Sequence, residues 1–438
     1  MEVVADLHLH SKYSRAVSPQ MIVSQMAKWA QKKGIDLLAT SDWTHPLWLR
    51  ELKESLKEVE EGIYGLKDSS SKTLFLLGTE ISSIYSQEGQ SHRIHNLVFA
   101  PNFEIVDKIN SKLRSLGANL FSDGRPIINL SSIELADLVF SCSSDCFIIP
   151  AHIWTPWFSL YGSSSGFDSF SECFGDFTSQ IYGIETGLSS NPLMNWRISD
   201  LDRKSILSFS DAHSLQKLGR EVTVFKSNKK KINYKDILKA IKKDKDSSCK
   251  IIYTIEFYPE EGKYHYSGHR NCNVIRSPKQ IEKLGNICSV CGRNLTIGVM
   301  SQVENLAERK IEEKELKINK DTFGVRWINY KNRPGYIMMV PLQEIIAEAF
   351  GCGVSSKKVE DEYNLLTNDF TSEFNFLLKT PLSKIEKVGG KRLALALKKV
   401  REGKISFKPG YDGVFGEVGI WSKEDQNKKE KEKQMNLF

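Results

Sequence analysis

The stretch Val3-Val4-Ala5-Asp6-Leu7-His8-Leu9-His10 is the strongest indication of the fold class. A short apolar run that ends in polar residues is typical of a buried β-strand. Side chains two positions apart on a strand point to the same face, so His8 and His10 can bind a common centre. Helical spacing follows in residues 21–33 and 47–60. This alternation indicates an α/β fold with parallel strands, whose functional groups collect at the carboxyl ends of the strands.

The same arrangement recurs through the first half of the chain. Histidine or a carboxylate closes each of the apolar runs 35–42, 74–80, 147–152 and 206–211. A single histidine at a strand end is commonly a hydrogen-bonded core residue, and a single aspartate there commonly caps a helix. The ordered recurrence favours a shared site instead. Its predicted members, with His95 placed before the run 97–100, are His8, His10, Asp42, His45, Glu80, His95, His152, Asp211 and His213.

Imidazole and carboxylate side chains in this mixture are typical ligands of divalent first-row metals. A cluster with several of each can bind two or three ions side by side. We therefore interpret the whole set as a metal site. We expect Asp6 to orient a histidine rather than bind metal directly. The carboxylate of Glu185, at the end of another apolar run, could support the site.

The series His-x-His, Asp-x-x-His, Gly-Thr-Glu, His, Ala-His and Ser-Asp-Ala-His resembles the polymerase and histidinol phosphatase domain. The resemblance implies a distorted (β/α)7 barrel with a trinuclear metal centre that hydrolyses phosphate esters. In that domain the second motif usually has adjacent Asp and His, whereas Trp43 and Thr44 separate Asp42 from His45 here. Whether His45 or His92 binds metal directly is therefore left open.

Three further stretches, residues 5–16, 185–190 and 194–197, resemble the endonuclease Q family. The resemblance covers residue 1 to about residue 350. It implies an endodeoxyribonuclease that cuts damaged double-stranded DNA on the 5′ side of deaminated bases (uracil, hypoxanthine) or abasic sites, leaving a 3′-hydroxyl and a 5′-phosphate. It also implies two or three active-site ions (Zn²⁺, Mn²⁺ or Mg²⁺), and makes His8, His10, Asp42, Glu80 and Asp211 the central catalytic residues.

An enzyme of this kind must take an altered base out of the stack. Trp154 and Trp157 lie close in sequence to the predicted ligand His152 and are candidates for contacting DNA. Packing in the core is the alternative for both tryptophans. Arg197 could bind a phosphate, and a salt bridge on the surface is its alternative.

A second metal motif pairs His269 and Cys272 with Cys288 and Cys291. Two ligand pairs about fifteen residues apart are typical of a zinc ribbon, in which one tetrahedral Zn²⁺ joins two tight turns. Four protein ligands leave no open position, so this ion would be structural. His265 is a rival ligand, although its tyrosine neighbours make it look like a strand residue.

Beyond the zinc motif the sequence predicts helices. Residues 302–317 have the pattern of a charged amphipathic helix, and residues 341–350 that of a shorter apolar one. Residues 382–401 have the pattern of a helix, a glycine turn and a second helix, which resembles a helix-hairpin-helix. In that interpretation Lys391 and Arg392 contact the DNA backbone without reading sequence. An ordinary helix pair is the alternative.

The last residues differ again in composition. Residues 422–433 are almost entirely charged or amide side chains, which predicts disorder. The terminal Gln434-Met435-Asn436-Leu437-Phe438 looks like the sliding-clamp-binding motif of bacterial replication proteins, with Gln434, Leu437 and Phe438 as the docking residues. A frayed terminus is the alternative.

Composition agrees with a multidomain enzyme of a reducing compartment. No apolar stretch approaches a membrane span, the eight cysteines lack the spacing of a disulfide framework, and the net charge of +7 is compatible with a polyanionic partner. We expect a cytoplasmic, nucleoid-associated monomer with domains at 1–228 (barrel), 229–350 (zinc module), 351–421 (helical) and 422–438 (tail). A small-molecule phosphatase and a non-catalytic DNA or clamp adaptor remain the alternative functions.

Overall fold

Strands and helices alternate along most of the chain, of which the computed structural model describes residues 1–67 and 71–421. The strands are β1 (Glu2–Asp6), β2 (Leu37–Ala39), β3 (Leu56–Glu60), β4 (Ile63–Leu66), β5 (Leu74–Leu76), β6 (Gly78–Gln87), β7 (Gln90–Phe99), β8 (Ile127–Ile128), β9 (Phe147–Pro150), β10 (Gly183–Glu185), β11 (Ser205–Leu207), β12 (Val222–Ser227), β13 (Cys249–Glu256), β14 (Ser267–His269), β15 (Val274–Arg276), β16 (Lys317–Lys320), β17 (Arg326–Asn329), β18 (Gly335–Met338), β19 (Ser406–Lys408) and β20 (Glu417–Gly419). The helices are α1 (Val23–Lys33), α2 (Pro46–Ser55), α3 (Phe103–Ser115), α4 (Ser132–Cys142), α5 (Phe170–Phe174), α6 (Pro192–Asn195), α7 (Tyr234–Ile241), α8 (Pro278–Leu284), α9 (Val299–Leu306), α10 (Leu342–Phe350), α11 (Lys357–Asp369) and α12 (Leu382–Glu402).

The first helix shows how the sequence determines where a helix forms and where it ends. In α1 the buried residues Val23, Met26 and Ala27 repeat at the spacing of one helix face, and they belong to the main hydrophobic core. The helix ends at Gly34, whose φ of 87° suits glycine and whose N–H donates to the carbonyls of Ala30 and Gln31. The predicted helix in residues 21–33 is therefore present.

The main sheet has ten strands in the order β16-β17-β18-β13-β12-β1-β2-β5-β4-β3. At its centre β1, β2 and β5 are parallel, with Ala5 opposite Leu37 and Leu38 opposite Phe75. A second sheet has the order β8-β6-β7-β9, and β10 pairs in parallel with β11. The predicted α/β class is confirmed, although the main sheet is mixed and not parallel throughout, and the carboxyl ends of β1, β10 and β11 carry the polar motifs.

Two predicted helices are wrong in part. Residues 56–60 form the strand β3, because they pair with β4 in an antiparallel hairpin, and α2 ends at Ser55. The predicted helix over 302–317 ends at Leu306 as α9, and residue 317 begins β16. There Ile318 pairs with Ile328 of β17. In both places, antiparallel pairing with the next strand along the chain outweighs local helical spacing.

The C-terminal helical region is confirmed. It contains α10, α11 and α12, and α12 is interrupted at Gly390, whose φ of 81° and ψ of 167° are not helical. This break divides the segment into two helices at the predicted glycine turn. A buried ion pair joins the region to α1, since Lys33 Nζ lies 2.6 Å from the Glu373 carboxylate, which also accepts hydrogen bonds from Leu342 N and Tyr363 Oη.

The main sheet continues across the predicted domain boundary at residue 228. Strand β12 ends at Ser227 and pairs with β13, and β13 pairs with β18. The division into domains therefore stays a prediction. Among the described residues, no helix combines the length and the apolar character that crossing a bilayer requires.

Two buried glutamates lie side by side at one end of the main sheet, Glu221 just before β12 and Glu256 at the end of β13. Glu221 accepts hydrogen bonds from Thr186 Oγ1, Leu188 N and Phe257 N. Glu256 accepts hydrogen bonds from the hydroxyls of Ser208 and Thr254. Burial raises the pKa of Glu256 to about 7, and burial together with the neighbouring carboxylate raises the pKa of Glu221 well above its ordinary value.

We expect Glu256→Gln to remove part of the pH dependence of stability. The folded protein favours the neutral form of Glu256, so its contribution is present below the ordinary glutamate pKa and is lost as pH rises through about 7. Between pH 5 and 8 the wild-type free energy of unfolding should fall relative to the variant by on the order of 3 kcal/mol. Denaturant titrations at both pH values measure this. Glu417→Gln, at an exposed position, is the control, and parallel pH profiles for wild type and Glu256→Gln would contradict the expectation.

Candidate metal centre

The first candidate metal-binding group combines the segment after β1 with the segment after β11. His8, His10 and Asp211 place ligand atoms within 4.8 Å of one another. The two segments are held together by a hydrogen bond from His10 N to Ala212 O of 3.0 Å. Asp211 has a φ of 46°, a left-handed conformation that turns its side chain toward the histidines.

The atoms of this group face one another without hydrogen bonds. Asp211 Oδ1 lies 3.5 Å from His8 Nε2 and 3.2 Å from His10 Nε2. All three atoms are buried, and none has a hydrogen-bond partner among the described residues. Buried polar atoms are normally paired, so three that converge on one point fit a cation between them.

The second group comes from the four-stranded sheet and the segment after β9. Ser82 lies opposite His95, and Glu80 opposite Leu97, so Glu80 and His95 are diagonal neighbours on one sheet face. Glu80 Oε1 lies 2.8 Å from His95 Nδ1 and 3.2 Å from His152 Nε2. Glu80 thus lies inside β6, not at the end of a strand as predicted.

Glu80 joins the two groups. Its other oxygen, Oε2, lies 3.3 Å from His10 Nε2 and 3.7 Å from His8 Nε2. One carboxylate therefore faces both groups, which is the arrangement that suits two neighbouring cations. Arg125 Nη1 also lies 3.0 Å from Glu80 Oε2, so a guanidinium borders the site.

Charge interactions hold the carboxylates of the site in their ionised form. Burial alone would raise the pKa of Glu80, but His95, Arg125 and His8 hold it well below its ordinary value. Burial would likewise lower the pKa of His8, and the surrounding carboxylates instead raise it well above its ordinary value. A metal ligand must be neutral imidazole or ionised carboxylate, so cations compete with protons at His8.

Two buried carboxylates orient the histidines from behind. Glu185 Oε1 lies 2.8 Å from His8 Nδ1, and Glu185 Oε2 accepts a hydrogen bond from His152 N of 2.7 Å. Asp42 Oδ1 lies 3.2 Å from His10 Nδ1, and its Oδ2 accepts from Ser11 N and Ser14 Oγ. Asp42 therefore faces the far side of the His10 ring and belongs to neither group, and its role as a direct ligand stays a prediction.

The other predicted members lie at or outside the edge of the groups. The His213 ring centre is 4.8 Å from that of His10, and its Nδ1 bonds to Asp211 O. His45 stacks on Tyr13 at 4.4 Å and His92 stacks on Phe167 at 3.9 Å, both away from the two groups. Asp6 accepts hydrogen bonds from Ser210 and Gly219, so it positions the segment before Asp211 rather than a histidine.

The predicted DNA-contacting residues have different surroundings. Trp154 is fully buried and donates from Nε1 to Asn195 Oδ1, which corrects its assignment as a DNA contact and supports the core-packing alternative. Trp157 is partly exposed and lies edge-on to Tyr264. Arg197 is paired with Glu304 at 2.7 Å, the alternative given for it. Lys391 is exposed, whereas the Arg392 guanidinium lies over Trp421.

The segment between α3 and β8 borders the centre and was missed by the sequence analysis. It carries Arg125, which contacts Glu80, and Phe121, which is 65% exposed beside His45. Gly124 lies so close to Asp42 and Ser14 that a Cβ atom would fall within 2.5 Å of Asp42 Oδ2. The Asp-Gly-Arg turn was the only signal of this approach in the sequence.

The zinc motif forms a third group far from the first two in sequence. Ligand atoms of His269, Cys272, Cys288 and Cys291 all lie within 4.8 Å of one another. Tight backbone bonds shape the second turn, from Cys288 N to Arg293 O and from Gly292 N to Cys288 O. The rival His265 is buried beside Tyr266 and is not part of the group. The clamp-like residues Gln434, Leu437 and Phe438 lie outside the described residues.

We expect Glu185→Gln to weaken binding of divalent cations about 10- to 100-fold, because groups that orient a metal-binding histidine have effects of this size. The substitution keeps the shape of the side chain and removes the charge behind His8. Calorimetric titration of metal-depleted protein with Mn²⁺ measures the effect. Glu88→Gln, at an exposed position, should bind as wild type does, and equal affinities for all three proteins would show that Glu185 is not a positioning residue.

Similarity to solved structures extends over nearly the whole chain. The lesion-specific endonuclease PfuEndoQ from Pyrococcus furiosus has 31% sequence identity and a TM-score of 0.80, with 98% of this chain and 99% of that chain covered. An endonuclease Q complex with a 27-mer duplex carrying an abasic lesion has 31% identity and a TM-score of 0.81, with 97% and 98% covered. The family MJ0043 C-terminal domain matches residues 341–404.

A curated relative matches over a shorter range. The uncharacterized protein MJ0043 of Methanocaldococcus jannaschii is 31% identical over 275 residues, which are 61% of this chain and 31% of that protein's length. The chain thus spans about a third of this relative. The likeness to the two endonuclease Q structures, in contrast, extends almost from end to end of both proteins. The chain belongs to the endonuclease Q family.

Proposed function

We propose that this protein is a metal-dependent endonuclease that cuts DNA at damaged sites. The observation that carries the proposal is the pair of adjoining groups that share Glu80. The family's solved members include a lesion-specific endonuclease and a complex with an abasic duplex. We further propose cleavage of the phosphodiester 5′ of uracil, hypoxanthine or an abasic site, with 3′-hydroxyl and 5′-phosphate products.

The residues of the two groups fit two or three divalent ions, which would be Zn²⁺, Mn²⁺ or Mg²⁺. His8, His10 and Asp211 would hold one ion, Glu80, His95 and His152 would hold the next, and His213 is placed at the edge for a third. When bound, such ions supply an activated water and neutralise charge on the phosphate. Glu185 and Asp42 fix the histidine rings through their other nitrogens.

Arg125 is placed to contact the scissile phosphate. Its guanidinium contacts Glu80 through Nη1 alone, and the side chain is 27% exposed. A guanidinium offers several N–H groups in a planar fork, so those not used by Glu80 can bind phosphate oxygens. We propose that Arg125 orients the backbone and that Glu80 holds the arginine in place.

Phe121 is the best-placed side chain to fill the space of a displaced base. It is 65% exposed at the rim of the site, and its ring lies 6.0 Å from that of His45. Extruding a base costs a few kcal/mol, and stacking of an inserted ring offsets part of this cost. We therefore assign base displacement to Phe121 rather than to the buried Trp154.

We expect Phe121→Ala to slow nicking of a duplex that contains deoxyuridine by about tenfold, since stacking on an aromatic side chain contributes about 1–3 kcal/mol. Nicking of the same strand without its complement should change less, because there is no partner base to replace. Leu116→Ala, at another exposed apolar residue nearby, is the matched control. A uniform loss on single and double strands would contradict this role.

We propose roles in the same function for the remaining parts of the chain. The first half would be a distorted (β/α)7 barrel, and the group at His269, Cys272, Cys288 and Cys291 a zinc ribbon with one structural Zn²⁺. The break at Gly390 supports a helix-hairpin-helix with Lys391 on its exposed face. We further propose that Gln434, Leu437 and Phe438 bind a sliding clamp. We also propose that the protein is a monomer with a cytoplasmic, nucleoid-associated location.

A substrate panel tests this function against the two alternatives. The protein is supplied with Mn²⁺, Mg²⁺ or Zn²⁺ and given duplexes with one deoxyuridine, deoxyinosine or abasic site, an undamaged duplex, and histidinol phosphate. We expect single nicks next to the lesions only. Phosphate release from the small ester without nicking would favour a phosphatase, and DNA binding without either reaction would favour an adaptor.

A further inference from the structure

A cavity of about 570 Å³ lies at the amino ends of β11 and β13. Ser205 and Ile206, which begin β11, line it, whereas Asp211 of the metal centre follows the carboxyl end of the same strand. The other walls come from the end of α7 and from the turn between β17 and β18. Cavities of this size typically hold a small molecule, and this one is separate from the metal centre.

Positive charge dominates the lining. The cavity is bordered by two carboxylates and six cations: Asp202, Asp244, Lys204, Lys243, Lys245, Lys250, Lys331 and Arg333. Asp202 is already paired with both Arg309 and Arg333, and Asp244 accepts a hydrogen bond from Asp246 N. The carboxylates therefore leave most of the positive charge uncompensated.

Some of these cations are used by the fold and others are not. Lys204 Nζ donates to Thr178 O and Ile181 O, and Lys243 Nζ donates to Lys204 O. In contrast, Lys245 and Lys250 are exposed, and their ammonium groups have no hydrogen bond or ion pair among the described residues. Burial lowers the pKa of Lys204 to about 8, and the Asp200 carboxylate offsets only part of this effect.

The rest of the lining is largely apolar. Trp196, Ala240 and Cys249 are buried, and Ile206, Ile251 and Pro334 are also part of this surface. Asn332, in the turn beside Lys331, adds an exposed amide. Free ammonium groups next to an apolar surface suit a ligand with an anionic group and a flat, weakly polar body.

We propose that this cavity binds a phosphorylated molecule of nucleotide size, either a free mononucleotide or the terminal nucleotide of a DNA strand. Lys245, Lys250 and Lys331 contact the phosphate, and the ring lies against the apolar wall. The site would act independently of the metal centre, because its residues come from the opposite end of β11.

Titration calorimetry of the full-length protein with deoxyadenosine monophosphate tests the proposal. The double variant Lys250→Glu/Lys331→Glu should bind at least about tenfold more weakly than wild type, because two attractions become repulsions. Lys230→Glu, an exposed lysine outside the cavity, should bind within about twofold of wild type. His8→Ala should also bind like wild type, which separates this site from nucleotide bound at the metal centre.

Further ligands distinguish the source of the nucleotide. Inorganic phosphate and deoxyadenosine should each bind more weakly than the monophosphate, since each lacks half of the interaction. Tighter binding of a short single-stranded oligonucleotide, lost in the double variant, would identify a strand end as the occupant. No saturable binding of either nucleotide form, unchanged affinity in the double variant, or loss of binding in His8→Ala would overturn the proposal.

Discussion

Replacing His8 with alanine should lower nicking of a lesion-containing duplex by at least about a thousandfold, or about 4 kcal/mol of transition-state stabilisation. His8 lies next to Asp211 and Glu80 through Nε2 and is held by Glu185 through Nδ1. Its loss removes a candidate ligand and leaves the carboxylates of Asp211, Glu80 and Glu185 with one imidazole fewer between them. Single-turnover assays with saturating Mn²⁺ measure the rate of the cutting step.

The matched control is His92→Ala. His92 is also a buried histidine, but it stacks on Phe167 outside both groups, so its variant should retain turnover per folded molecule. Circular dichroism of both variants checks folding. Similar rates for His8→Ala and wild type would mean that the first group does not take part in the reaction.

Cys288→Ser should unfold the module around His269, Cys272, Cys288 and Cys291. Structural zinc binding in finger peptides has an apparent free energy of about 10 kcal/mol or more, and it depends on all four ligands. The variant should contain about one equivalent less zinc per chain, and backbone amides in residues 267–296 should exchange much faster with solvent. Metal analysis and hydrogen exchange measure the two effects.

Cys352→Ser serves as the comparison, since Cys352 is a partly buried cysteine that does not belong to the group. It should keep the wild-type zinc content and exchange rates. The His8→Ala chain should keep protection in residues 267–296, because the two sites share no residue. Unchanged zinc content in Cys288→Ser would remove the assignment of this group as a structural site.

The grouping of the candidate ligands could be predicted because strand geometry constrains it. His8 and His10 share a face two positions apart, and Asp211 comes after the end of β11 as His8 comes after the end of β1. The zinc motif was predictable for a similar reason, since paired ligands in tight turns are a local feature. Within each of these two sets, the structure brings the side chains within ligand distance of one another.

Other features depend on contacts between residues that are distant in the sequence. Glu185 contacts His8 across 177 positions, and no local pattern marks which carboxylate will reach which ring. Asp42 lies beside His10 as expected, but its Oδ1 contacts His10 Nδ1, on the side of the ring away from the candidate metal position. Trp154 follows a ligand closely in sequence, yet its side chain points into the core. The direction in which a side chain points from a turn depends on packing, and the spacing of residues in the sequence does not encode it.

Diffraction from crystals grown with Mn²⁺, measured at a wavelength where manganese scatters anomalously, tests the central claim most directly. We expect at least two adjacent peaks, one among His8, His10 and Asp211 and one among Glu80, His95 and His152, with Glu80 in contact with both. A map without peaks between these side chains, or with a single ion that Glu80 does not touch, would contradict it.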